Sequence, residues 1–170
     1  MKKQRHVISF VARSSNSGKT TLIEKIVAIL KDRGFRVAVV KHTSKGFDID
    51  RPGKDSWRFH QAGADAVILA GPDNVALMKI VRQQPSSHEL EQLAGDVDLV
   101  IYEGFKGDAE NKIEVFRQGV SGDLPMCTQD SSFLALVSDT PFEVQIPFFE
   151  LNDATGVADF IVGRCRNHKK

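Results

Sequence analysis

Apolar positions along this chain follow two alternating rhythms. Val7-Ile8-Ser9-Phe10-Val11-Ala12 is a short, nearly continuous apolar run, the mark of a strand. Leu22, Ile23, Ile26, Val27 and Leu30 then recur at steps of three and four, which predicts a helix with one buried face. Gly34 stands where that helix should stop. Residues 36–41 form a second strand, whose continuous apolar centre predicts cover on both faces. Strand, helix and strand with a short return imply a right-handed parallel crossover, so the expected fold class is α/β.

The rhythm weakens after His42. Residues 42–53 are too polar and broken for regular structure, and 54–62 predict a short helix ended by Gly63. Strands over 66–70 and 75–81 flank Gly71-Pro72-Asp73-Asn74, a turn sequence, so they should pair as a β-hairpin. Ser86-Ser87-His88-Glu89 has the pattern of a capping box and opens a helix with Leu90 and Leu93 on one side. Further strands are expected over 97–102, 113–116 and 133–137, the first ending on Glu103-Gly104-Phe105 and the last on Ser138-Asp139. Residues 118–130 read as loop. Asn152-Asp153 caps a final helix whose Val157, Phe160 and Ile161 face the core, and the polar tail 164–170 is expected to fray. Trp57, Phe59, Phe148 and Phe149 are expected in the core. The architecture implied is a largely parallel sheet with flanking helices and an added hairpin. A hairpin at a sheet edge has unpaired backbone groups able to pair with another chain, so a homodimer joined there is expected.

Length and charge narrow the classes. The 170 residues suit a single domain, 1–170, long enough to bury roughly 70% of the unfolded surface. A formal net charge of +1 gives no nucleic-acid or anionic-membrane footprint. No apolar run is long enough to span a membrane, and the basic start leads into a strand rather than a signal peptide. Cys127 and Cys165 form no metal-type pair and suit a reducing compartment, so the expected location is the cytoplasm.

The chemistry concentrates between the first strand and first helix, at Arg13-Ser14-Ser15-Asn16-Ser17-Gly18-Lys19-Thr20-Thr21. Strand, loop, Gly-Lys-Thr and helix is the arrangement that holds a nucleotide triphosphate. Backbone N–H groups of such a loop cradle phosphate oxygens, and the helix adds the positive end of its dipole. Ser15, Asn16, Ser17, Gly18, Lys19, Thr20 and Thr21 are therefore candidate nucleotide ligands, with Lys19 at the outer phosphates and the Thr20 hydroxyl on Mg²⁺. The full pattern has a glycine five residues before Gly18, where this chain has Arg13.

A metal beside Thr20 needs a further oxygen ligand. Asp98 lies at the wrong end of its strand, whereas Glu103 lies at the carboxyl end, where open α/β sheets bind ligands. Asp48 and Asp50 follow the second strand and are candidates for holding a metal-bound water or orienting the attacking one; capping the next helix explains them as well. Lys41 and His42 are candidates for phosphate or substrate contact, and Asp55 with Arg58 fits a helix-surface ion pair. Asp139, at the end of a third strand, can accept from guanine's ring N–H and amine together.

Five blocks in order carry a resemblance: Ser17-Gly18-Lys19-Thr20-Thr21, Val40-Lys41-His42-Thr43, Asp48-Ile49-Asp50-Arg51-Pro52-Gly53-Lys54-Asp55-Ser56, Ala62-Gly63-Ala64, and Leu99-Val100-Ile101-Tyr102-Glu103-Gly104-Phe105-Lys106. Together with Ser138-Asp139-Thr140-Pro141 and Asn152-Asp153 they resemble the MobB family, GTP-binding accessory proteins of molybdopterin-guanine dinucleotide synthesis. The resemblance implies a P-loop NTPase-like fold, GTP and Mg²⁺ as ligands, and at most a weak GTPase activity. It further implies a homodimer and a supporting role beside the guanylyltransferase that joins GMP to molybdopterin, with molybdopterin itself a further candidate ligand. A metallochaperone GTPase for nickel or another metal, or a small-molecule kinase with the Asp48–Asp50 loop as acceptor site, is the alternative from the residues alone.

Overall fold

The structure, a computed structural model, describes residues 5–43, 46–105 and 111–167. Ser44, Lys45 and the Lys106 that closes the last block of the resemblance lie outside these. The chain forms two compact units, Met1–His42 with Leu90–Lys170, and Thr43–Glu89.

The first unit is built on six parallel strands: β1 (His6–Val11), β2 (Val37–Lys41), β5 (Leu99–Glu103), β6 (Lys112–Phe116), β7 (Phe133–Ser138) and β8 (Phe148–Glu150). They lie in the order β2-β5-β1-β6-β7-β8. Because all run the same way, the carboxyl ends of β1, β2, β5, β6 and β7 share one edge, and the loops that follow them gather there. Helix α1 (Lys19–Asp32) covers one face beside α4 (Ala154–Asn167), burying Leu22, Ile23, Ile26 and Leu30 against Ile8, Phe10, Ile101, Val157 and Ile161. Each such side chain contributes roughly 1.5–3 kcal/mol relative to exposure. Across the sheet Val100, Tyr102 and Phe105 make a smaller cluster with Val40 and Leu90.

Three expectations for this unit change. Residues 36–41 were expected to be covered on both faces, but β2 is an edge strand and Val39 is 46% exposed. The tail from Arg164 does not fray at once: α4 continues to Asn167, because Cys165 is buried in the core and the Arg164 guanidinium lies 5.7 Å from the Phe160 ring centroid. And Phe148 and Phe149 belong to an unforeseen three-residue strand, with Phe149 packed on the core as expected.

No α-helix bridges β6 and β7. A 3₁₀ turn, Met126–Thr128, interrupts the expected loop, and the buried Glu114 carboxylate holds it by accepting the Met126 and Cys127 N–H groups, both at 2.8 Å. Burial and the nearby Glu114 push the Cys127 thiol up to about 12, so it stays protonated at neutral pH.

The second unit holds α2 (Asp55–Gln61) and the antiparallel pair β3 (Ala66–Ala70) and β4 (Val75–Lys79), the expected hairpin. It is a separate two-stranded sheet, and both of its faces present apolar groups to solvent, with Ile68, Leu69, Val75 and Leu77 all exposed. Phe59 is exposed as well, contrary to its expected place in the core, since the short α2 has only Ser56 buried. Ser86 and Glu89 form the expected capping box of α3 (Ser87–Leu93): the Ser86 hydroxyl donates to Glu89 Oε2 at 2.8 Å and the Glu89 N–H returns to Ser86 Oγ at 3.3 Å. Those bonds draw the Glu89 carboxyl below its usual range.

Candidate functional site

The loop between β1 and α1 is organised by backbone conformation. Gly18 caps α1 with φ +92°, a left-handed conformation that L side chains rarely adopt, and Asn16 reaches φ +61°, which asparagine tolerates better than most residues. A helix leaves its first amides without intrahelical acceptors. Here the cap makes no side-chain hydrogen bond and the first turn has no acidic residue. That end of α1 therefore suits an anion.

Lys19 lies back over the loop, its Nζ donating to the Ser14 carbonyl at 3.2 Å and to the fully buried Ser17 hydroxyl at 3.1 Å. The ammonium thus stands at the centre of the curve made by residues 14–18. Ser15, Asn16, Thr20 and Thr21 are exposed around it.

Thr20 and Glu103, both expected near a metal, are in direct contact. The Thr20 hydroxyl donates to Glu103 Oε1 at 2.6 Å, and the residue Glu103 is only 8% exposed. Strand register explains the geometry, since Glu103 pairs with Phe10 of β1 on one side and Lys41 of β2 on the other. Lys41 Nζ stands 3.5 Å from the second oxygen, Glu103 Oε2. A hydroxyl and a carboxylate are the hard oxygen donors that Mg²⁺ takes, so these residues fit that ion.

His42 is placed by other means. Its N–H continues the ladder to the Glu103 carbonyl at 2.9 Å, and its ring meets Phe105 edge-on with centroids 5.4 Å apart. Asp98 pairs with Arg36 at the amino end of β5, as its position predicted.

Asp139 follows β7 on the same edge as the phosphate loop, with about a third of its side chain exposed. Its Oδ1 accepts the Gln118 N–H at 2.9 Å, and Arg117 Nε stands 3.7 Å from Oδ2. The 117–122 turn therefore links two candidate regions, because the Ser14 hydroxyl donates to the Val120 carbonyl at 2.8 Å and the Arg13 stem passes beside Gly122. Sequence reasoning missed this turn. Ser14 and Val120 are 106 residues apart, and no local pattern signals that contact.

Asp48 and Asp50 belong to the other unit. Asp48 is exposed, while Asp50 Oδ1 accepts the Arg51 N–H at 2.8 Å and the Ser56 hydroxyl at 3.0 Å, tying its loop to the first turn of α2. Asp50 Oδ2 is out of solvent contact and has no hydrogen-bond partner among the described residues. Asp55 and Arg58 form the exposed ion pair expected on α2, at 3.6 Å.

Comparison with known proteins identifies the family and the fold. The chain is 36% identical over 155 residues to the molybdopterin-guanine dinucleotide biosynthesis adapter protein of Escherichia coli (strain K12), covering 87% of each. It is 38% identical over 152 residues to the adapter protein of the same name from Haemophilus influenzae, covering 86% of this chain and 83% of that one. The crystal structure of a molybdopterin-guanine biosynthesis protein B matches with TM-score 0.70 at 31% identity, over 94% of this chain and 99% of the other. The architecture is accordingly that of the P-loop NTPases, a largely parallel sheet with flanking helices and a separate hairpin. Residues 7–139 match the model of the family described as molybdopterin guanine dinucleotide synthesis protein B. With that match over most of its length, the chain belongs to the MobB family.

Proposed function

We propose that this protein is a GTP-binding accessory protein of molybdopterin-guanine dinucleotide synthesis, which assists the guanylyltransferase joining GMP to molybdopterin. The observation that carries the reading is the Thr20–Glu103 contact of 2.6 Å beside Lys19 and the amino end of α1. It supplies a cation and a helix terminus for the phosphates, and a hydroxyl with a buried carboxylate for Mg²⁺. A bound Mg²⁺ would offset the charge of the outer phosphates. Lys19 binds those phosphates, Thr20 and Glu103 orient the metal's oxygen shell, and Asp139 reads the base. Among the described residues no helix is long and apolar enough to cross a membrane, and the cytoplasm is the proposed location.

The adapter role makes a direct prediction. Tagged protein taken from cells making molybdenum cofactor should co-purify with the guanylyltransferase, and mass spectrometry of the bound small molecules should find guanine nucleotide. Recovery of neither removes the proposed role.

A homodimer is part of the same reading. Ile68 and Leu77 are register partners on the hairpin and both are exposed, so apolar area coincides with strand edges that pair with no other strand among the described residues. Wild type should sediment as a dimer at micromolar concentration, and Leu77→Arg should sediment as a monomer. A wild-type monomer, or a variant that stays dimeric, rejects the hairpin as the joint.

A further inference from the structure

We propose that Lys41 is a built-in counter-ion for Glu103, exchanged for Mg²⁺ when nucleotide binds. The inference rests on the nucleotide reading above and assigns Lys41 a role that reading does not need.

The geometry begins with register. Lys41 and Glu103 are paired residues on neighbouring parallel strands, so their side chains leave the sheet on the same face. Glu103 uses its two oxygens differently: Oε1 takes the Thr20 hydroxyl at 2.6 Å, and Oε2 faces Lys41 Nζ at 3.5 Å. The carboxylate side chain is 11% exposed, whereas the lysine side chain is 62% exposed. A carboxylate so far out of water needs a compensating charge. The lysine, by contrast, has most of its length in solvent and is weakly held, because a half-exposed ion pair adds little free energy. One partner is fixed and the other is free to leave.

That asymmetry matters at a metal site. Mg²⁺ and an ammonium cannot both sit against one carboxylate oxygen without repelling each other. Lys41 compensates the Glu103 charge until Mg²⁺ binds, and its ammonium then moves out into solvent. Two consequences oppose one another. Competition by Lys41 raises the Mg²⁺ concentration needed for nucleotide binding. Without metal, the same ammonium shields the phosphates from the Glu103 carboxylate and so supports binding.

Removing the charge should separate these effects. In Lys41→Met, the Mg²⁺ midpoint for GTP binding, read by calorimetry, should fall about two- to fivefold. GTP affinity in EDTA should weaken about threefold or more. Lys41→Arg should restore both values, since it keeps the charge, and thermal melting of each variant without ligand reports on folding. Lys41→Gln serves as the second neutral variant should the methionine protein melt early. A Mg²⁺ midpoint that is unchanged or higher overturns the exchange while leaving the nucleotide reading intact. Equal loss with and without metal also overturns it, and makes Lys41 a direct phosphate contact. If wild type binds no GTP at any Mg²⁺ concentration, the nucleotide reading fails and the exchange fails with it.

Discussion

Lys19→Ala should lower GTP affinity by roughly 10- to 150-fold while changing guanosine affinity less than threefold. The size follows from the bonds at stake, since a hydrogen bond to a charged group contributes about 1.5–3 kcal/mol. The selectivity follows from position. Lys19 stands over the curve of residues 14–18, donating to the Ser14 carbonyl and the Ser17 hydroxyl, and those bonds hold its ammonium where the proposed function puts the outer phosphates. A nucleoside has nothing there to lose. GDP should fall between the two, because it retains one of the phosphates a lysine in this position can reach. Calorimetry with GTP, GDP and guanosine measures all three. A GTP loss below threefold removes the assignment of residues 13–21 as a phosphate loop.

Asp139→Asn should reverse the preference for base. Guanine presents two adjacent donors, and a carboxylate accepts both; an amide in its place sets a donor against a donor. A polar group left unpaired in a buried site costs about 1–3 kcal/mol, roughly five- to more than a hundredfold. Xanthine has an oxygen where guanine has its amine, so xanthosine triphosphate should gain what GTP loses, with ATP poor throughout. The structure adds a condition. Asp139 already accepts from the Gln118 N–H and faces Arg117, so reading a base requires at least one oxygen to be shared or released. The asparagine keeps a carbonyl oxygen for Gln118, which should leave the 117–122 turn in place. A competition titration with all three nucleotides, on wild type and variant, decides the matter. If the variant still prefers GTP, Asp139 serves only to hold that turn.

What could be read from the sequence was local. The run of residues 7–12, the Gly-Lys-Thr that follows and the three- and four-residue steps of α1 are consecutive, and each element announces itself within its own span. The Ser86–Glu89 box and the hairpin turn at 71–74 are of the same kind. The place of Glu103 at the carboxyl end of β5 was legible from a rule about strand ends, which needs only a strand and its direction. The failures were matters of neighbourhood. Residues 36–41 look like a strand covered on both faces, and only the arrival of β5 between β2 and β1 shows that β2 ends the sheet. The three residues of β8 are too few for any period, and their pairing with β7 is what makes them a strand. Phe59 is apolar enough for a core, but its helix has seven residues and buries one serine. The 117–122 turn reaches Ser14 through a contact that spans more than half the chain.

The order of strands also governs when the protein can first work during its own synthesis. β1 and β2 leave the ribosome early, yet neither is the other's neighbour, and the gap between them waits for β5. From Lys41 to Glu103 is 62 residues by subtraction, or roughly 3–12 s of translation at about 5–20 residues per second. Throughout that interval the nascent chain carries the Gly-Lys-Thr loop without Glu103 behind it, and two apolar strands with open edges. Such segments are what chaperones recognise and what aggregation exploits. On the proposed function, binding competence therefore comes late, and a truncated product ending before Glu103 would retain the motif without its carboxylate partner.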